Sequence, residues 1–236
     1  MATIKKFILR NFKGIEEVEV DLVDRTNCPV LTLIGLNESG KTTILEGISH
    51  FVSGDRSVSG LFDGAHAKAS GVGLIPMHRK AAFTSDIEVI GLVELSQKDV
   101  DDIVALGRER AQRIHVDPSV LAIPFEVTRR FRFEDSILIK SNNSWSIEIQ
   151  AKGHKRSQYK KIGSTEDFWR EVVKLVEERL PQVAYFPTFL VEMPARIYLR
   201  EHEEEKPVNR HYRFVFQDKN QSTGSRVSSG DLQRRL

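Results

Sequence analysis

One cysteine, Cys28, is all the thiol in this chain of 236 residues. That excludes an internal disulfide and fits a reducing compartment, the cytoplasm. Long apolar runs are missing too: none approaches the length needed to span a bilayer, so no membrane partner is expected. The opening residues, Met1 to Arg10, have neither a long apolar core nor a cleavage site, which excludes a secretion signal. Neither sign of charge dominates. The net charge of +2 leaves nucleic-acid binding to a local basic patch, if there is one. The Asn-Lys-x-Asp sequence with which a GTPase reads its base is absent, and so is any clustered set of zinc ligands or nuclease carboxylates. His66, His78, His115, His154, His202 and His211 are scattered and read as surface residues. What remains, 40% apolar and 29% charged, is ordinary for one globular α/β domain with a sizeable core.

The informative stretch runs from Val30 to Ile48. Val30-Leu31-Thr32-Leu33-Ile34 is an apolar, β-branched run and reads as a buried strand. Gly35-Leu36-Asn37-Glu38-Ser39-Gly40-Lys41-Thr42-Thr43 then fits the phosphate-binding pattern G-x-x-x-x-G-K-[ST]. Ile44, Leu45 and Ile48 follow at helical spacing. A strand, a glycine-rich turn and a helix in that order are the setting this chemistry needs. Gly35 lets the chain leave the strand, and Gly40 lets the backbone approach phosphates closely. The N–H groups from about Asn37 to Thr43, those of Glu38 and Ser39 included, form an anion nest at a helix N-terminus. Lys41 is expected between the β- and γ-phosphates of ATP, the Thr42 hydroxyl on Mg²⁺, and Thr43 at the α-phosphate.

Around this motif the pattern is mixed. Ile4 to Leu9 and Val18 to Leu22 read as two strands of a hairpin, with Gly14 in the turn. Ser53 to Ala82 is rich in Gly, Ser and Ala and reads as a surface excursion, carrying a small basic cluster at His78, Arg79 and Lys80. Ile87 to Leu95 reads as a strand. Ser96 is the expected N-cap of the helix after it, with Asp99 three residues on and Val100, Ile103, Val104 and Leu106 as its apolar stripe. Strands are expected at Phe125 to Phe133, Ser136 to Lys140 and Ser144 to Gln150, with Asn142-Asn143 turning the last pair. Lys152 to Lys161 is the most basic stretch, with Tyr159 inside it: a solvated connection or a nucleic-acid contact. Ser164-Thr165-Glu166-Asp167 opens an amphipathic helix carrying Phe168, Val172, Leu175, Val176 and Leu180 on one face, ended by Pro181. Val183 to Phe189 reads as a strand, Glu201 to Glu205 as an exposed acidic run, and Val208 to Gln217 as a helix. The tail from Asp218 reads as disordered.

The start of the chain resembles the ATPase head shared by the structural-maintenance-of-chromosomes proteins, RecF and the overcoming-lysogenization-defect (OLD) nucleases. Ile4, Leu9, Asn11, Phe12, Lys13 and Gly14 carry the likeness, together with the loop containing Asn37. Tyr185 to Phe189, Pro194 and Tyr198 resemble a bacterial OLD-like branch, so the likeness extends from about residue 3 to about 217. It implies a P-loop NTPase of α/β class, ABC-ATPase-like, with a mixed sheet and an antiparallel β subdomain around the P-loop helix. It implies a head over residues 1–217 and a flexible tail over 218–236. It implies that Arg10, Asn11 and Lys13 lie beside bound ATP and Mg²⁺. It further implies hydrolysis only in a homodimer closed through ATP, or with a partner chain supplying the rest of the head, in a machine acting on DNA such as repair, chromosome handling or phage defence.

No catalytic acid is identified. Glu94 ends an apolar strand and is the candidate, but the resemblance puts that strand in the antiparallel part of the head. Gln97 is a candidate metal-sensing glutamine on the same footing. Ser228-Ser229-Gly230-Asp231 resembles an ABC signature in which the chain would stop inside the first helical turn; the alternative is an unrelated tail. A non-hydrolysing nucleotide-binding regulator, or another P-loop enzyme such as a kinase, are the competing readings.

Overall fold

The computed structural model describes residues 1–22, 30–51, 72–110, 114–153 and 158–181. Its centre is a five-stranded antiparallel sheet in the order β2-β1-β3-β5-β6. The strands are β1 (Thr3–Phe12), β2 (Ile15–Asp21), β3 (Ser85–Glu94), β5 (Phe125–Glu134) and β6 (Ile137–Trp145). A second sheet of three short strands has the order β4-β7-β8, with β4 at Ile114–Val116, β7 at Gln150–Gly153 and β8 at Lys160–Lys161. The helices are α1 (Lys41–Ser49), α2 (Gln97–Glu109), a short α3 (Pro118–Leu121) and α4 (Asp167–Arg179). No described helix is long and apolar enough to cross a membrane.

Alternation in the strands decides the two faces of the large sheet. Phe7 and Leu9 of β1, Ile87, Val89 and Val93 of β3, and Phe125, Val127, Phe131 and Phe133 of β5 are buried on one face. The segment from α1 to Phe51 packs there: a Cβ on Gly47 would sit 2.7 Å from Leu9 Cδ1, and one on Gly91 2.5 Å from Phe51 Cζ. The opposite face carries charge in register. Glu17 lies across from Arg10, Arg10 from Glu88, and Glu88 from Arg130. Arg130 meets Glu88 at 2.7 Å and Arg132 meets Asp86 at 3.0 Å. The hydrogen bond from Arg132 holds the Asp86 carboxyl below its ordinary range. The positive charge of Arg130 and Arg132 is therefore neutralised within the sheet.

The apolar stripe of α2 and that of α4 meet in the same core. Val100 and Ile103 pack with Phe168, Val172 and Val176. Ser96 caps α2 as expected, with a reciprocal capping box to Asp99. Asp99 is also where three parts of the chain converge. It accepts from the Ser96 N–H at 3.0 Å and from Arg179 at 3.0 Å, and lies 3.1 Å from the N-terminal ammonium. Burial pushes its carboxyl up, but the hydrogen bonds from Ser96, Arg179 and the amino terminus prevail and hold it at about 2.

Three expectations need correction. Val30 to Ile34 forms no regular element and joins neither sheet, and Val30 and Ile34 are 71% and 91% exposed. A strand exists only where another strand meets its N–H and C=O groups, and among the described residues none does. Correspondingly, every strand pairing among the described residues is antiparallel, not mixed. The expected turn at Asn142-Asn143 is the middle of β6, where those residues pair with Arg130 and Arg129. The chain reverses instead at Asp135-Ser136, both at positive φ, because the segment beside it holds the turn. Ser136 Oγ accepts from Phe83 N–H at 2.9 Å, and Asp135 N–H donates to Thr84 at 3.0 Å. The expected strand at 183–189, the acidic run, the helix at 208–217, the tail and the signature-like sequence lie outside the described residues.

Candidate functional site

The loop between the apolar run and α1 is built for an abrupt change of direction. Glu38 and Gly40 both have positive φ, 65° and 86°, and Gly40 is the N-cap of α1. No side chain caps this helix, so the N–H groups of its first turn stay open to an anion. Ile44 N–H closes the first helical bond, to Gly40 at 2.9 Å. Lys41 turns its ammonium back over the loop, donating to the Gly35 carbonyl at 2.8 Å, to the Leu36 carbonyl, and to Ser39 Oγ at 3.2 Å. Gly35 permits this closeness: a Cβ there would stand 2.7 Å from Ser39 Oγ. Asn37, Glu38 and Ser39 are exposed, Gly40 and Lys41 half-buried, Thr42 exposed and Thr43 half-buried. An exposed loop of this curvature, with open amides and a tethered ammonium, has the chemistry to accept a polyphosphate.

The hairpin residues behave differently. Arg10 lies on the charged face, 3.4 Å from Glu17 and 3.5 Å from Glu88. Gly14 lies in the turn as expected, beside Lys13 at φ 53°, while Asn11, near the end of β1, is also left-handed at φ 56°. The Asn11 amide donates to the Asp86 carbonyl at 3.0 Å. Lys13 donates its N–H to Leu74 at 2.9 Å and pairs its ammonium with Glu46 of α1. Lys13 is thus brought to the helix that the loop opens, while Asn11 and Arg10 are engaged by the strands. Glu94 is on the sheet face away from α1, paired with Lys5 at 2.7 Å. Gln97 donates to Asp101 at 2.9 Å on α2. No described group of His, Cys, Asp and Glu is arranged to hold a metal ion.

The burial of two side chains was not legible in the sequence. His50 follows α1 and is buried between Phe12 and Phe131, with ring centroids at 5.6 and 6.1 Å. Its Nε2 has no hydrogen-bond partner, and burial, helped by Lys13 and Arg129, pushes its pKa down to about 4. Arg129 lies with its guanidinium 5.1 Å from the Phe131 ring and donates to Asn143 at 3.1 Å, while its Nε is buried and unpaired. A histidine after a helix and an arginine in a strand have no sequence signature that announces such burial.

An α/β fold in which a glycine-rich loop opens a helix defines the class of phosphate-binding nucleotide enzymes. The chain belongs to the AAA ATPase domain family, whose model matches residues 3–222. No curated protein matches it. Membership supports an ATP-binding ATPase, of a family that uses ATP and Mg²⁺.

Proposed function

We propose that this protein is an ATP-binding head of the ABC and OLD-like kind, holding ATP–Mg²⁺ through Asn37 to Thr43. The observation that carries the reading is the uncapped start of α1 behind Gly40, with Lys41 folded over the loop. Lys41 would bind the outer phosphates, the first-turn amides the inner ones, and Thr42 the magnesium, which when bound supplies charge neutralisation between phosphates. Hydrolysis belongs to a dimer closed through ATP, or to a partner chain that brings the catalytic acid. Glu94, turned away from α1, is not that acid in this reading. The head would drive or gate a machine that acts on DNA, in repair, chromosome handling or defence against phage.

Thermal melting tests the first part. ATP–Mg²⁺ is expected to raise the melting temperature by mass action. GTP should do so much less, and Lys41→Ala should remove the shift. A shift that survives Lys41→Ala places the nucleotide elsewhere and overturns the reading.

A further inference from the structure

The most basic stretch of the chain folds back on itself. β7 and β8 pair antiparallel, with Ala151 across from Lys160 and Gln150 across from Lys161. Val116 and Ala151 are opposite each other and buried, so their strand neighbours turn outward. The outward face therefore carries His115 and Lys152 in register, then Tyr159, with Gln150 and Lys161 in the next row. The Lys152 ammonium lies 4.6 Å from the centre of the Tyr159 ring, which is 39% exposed.

The contrast with the five-stranded sheet is informative. There Arg10, Arg130 and Arg132 meet carboxylates in register. Here Lys152 and Lys160 meet none among the described residues. Lys161 alone pairs with an acid, Glu148 at 3.2 Å, and remains largely exposed. Lys152, Lys160 and Lys161 border one cleft of about 350 Å³, with Glu166 as its acidic member. The Glu166 carboxylate is engaged by the Gly163 N–H at 2.8 Å. An ammonium that meets no carboxylate among the described residues, and a second one largely exposed, beside a half-exposed aromatic ring match a polyanion that also offers flat apolar faces. A duplex hides its bases from such a ring; a single strand does not.

We propose that this face of the three-stranded sheet docks single-stranded nucleic acid, with Lys152 and Lys161 against phosphates and Tyr159 under a base. It deepens the DNA-acting part of the proposed function but makes no use of the phosphate loop. Lys41→Ala should leave it intact, so the two readings fail separately.

The test is fluorescence anisotropy of a labelled oligothymidylate with the whole chain, across a salt series, beside a duplex of mixed sequence. Affinity is expected to fall steeply with salt, and joint replacement of Lys152 and Lys161 by alanine to lower the salt slope by about 0.7 per lysine. Tyr159→Ala should weaken single-strand binding about tenfold, with Tyr159→Phe near the parent. Melting curves of each variant separate lost binding from lost fold. Absence of binding at low salt, affinity indifferent to salt, or an undiminished affinity in the folded lysine double variant would each overturn the proposal. So would a duplex bound as tightly as the single strand with Tyr159→Ala without effect.

Discussion

Lys13 and Glu46 form an ion pair that fastens the tip of the first hairpin to the second turn of α1. Both side chains are about two-thirds covered. The Lys13 N–H is meanwhile committed to the Leu74 carbonyl, so the backbone around this lysine is fixed before the ammonium reaches the helix. A tie of this kind transmits the position of the hairpin to the helix that carries Lys41, Thr42 and Thr43. The double-mutant cycle of Lys13→Ala and Glu46→Ala is expected to show a coupling of about 1 kcal/mol or less in stability. Each single variant should also reduce the rise in melting temperature caused by ATP–Mg²⁺. Additive effects on stability and an unchanged nucleotide response would show the pair to be incidental.

His50 makes stability depend on mildly acidic pH. Its folded pKa lies near 4, below the ordinary 6.5, because burial and the nearby Lys13 and Arg129 disfavour the imidazolium. The unfolded chain thus takes up a proton where the folded one does not. Stability is full above about pH 6.5 and falls as the pH drops toward 4, by about 3 kcal/mol in total from this group. His50→Phe removes a buried, unpaired Nε2 and places a ring among Phe12 and Phe131. Denaturant unfolding at neutral pH should find it as stable as the parent or more so, and across this pH window the slope should flatten.

Asp99 acts at the other end of the scale. Its carboxyl, held near 2 by groups from α2, α4 and the amino terminus, titrates below its ordinary 3.8. Its contribution is present above about pH 4 and lost as the pH falls through 2, about 2 kcal/mol in all. At neutral pH Asp99→Asn leaves Arg179 with Asp102 as its remaining carboxylate, 2.6 Å away. It should cost about 2–4 kcal/mol in chemical denaturation, and Asp102→Asn, at a half-buried site, less.

Gly91 is needed for space rather than for its backbone angle. A Cβ there would stand 2.5 Å from Phe51 Cζ, and Phe51 is itself buried edge-on against Phe7 at 5.2 Å. Gly91→Ala is expected to destabilise by about 1–3 kcal/mol. Phe51→Leu, costly alone, should recover part of that loss in the double variant, as unfolding midpoints would reveal.

Several features were legible before any coordinates. The capping box at Ser96 and Asp99, the stripe of α4 and the alternation of β1, β3 and β5 depend on neighbours a few residues apart. The glycine-rich loop was legible for the same reason, since φ at Gly40 and the start of a helix at Lys41 are local matters. The strand at Val30 to Ile34 was not, because its apolar pattern states a preference while a ladder partner must come from elsewhere. Asn142-Asn143 is the converse: good turn residues held straight by Arg129 and Arg130 across the ladder.

By itself, then, the amino-acid order determined where helices start, which strand residues face inward and where a glycine-rich loop opens a helix. Each follows from short-range sterics and hydrogen bonding. Tertiary structure alone decided which charges are spent and which are free. Arg130 and Arg132 meet acids from β3, Lys13 meets Glu46, and among the described residues Lys152 meets an aromatic ring and no acid. Charge pairing depends on distances between residues far apart in the chain, and folding is what sets them.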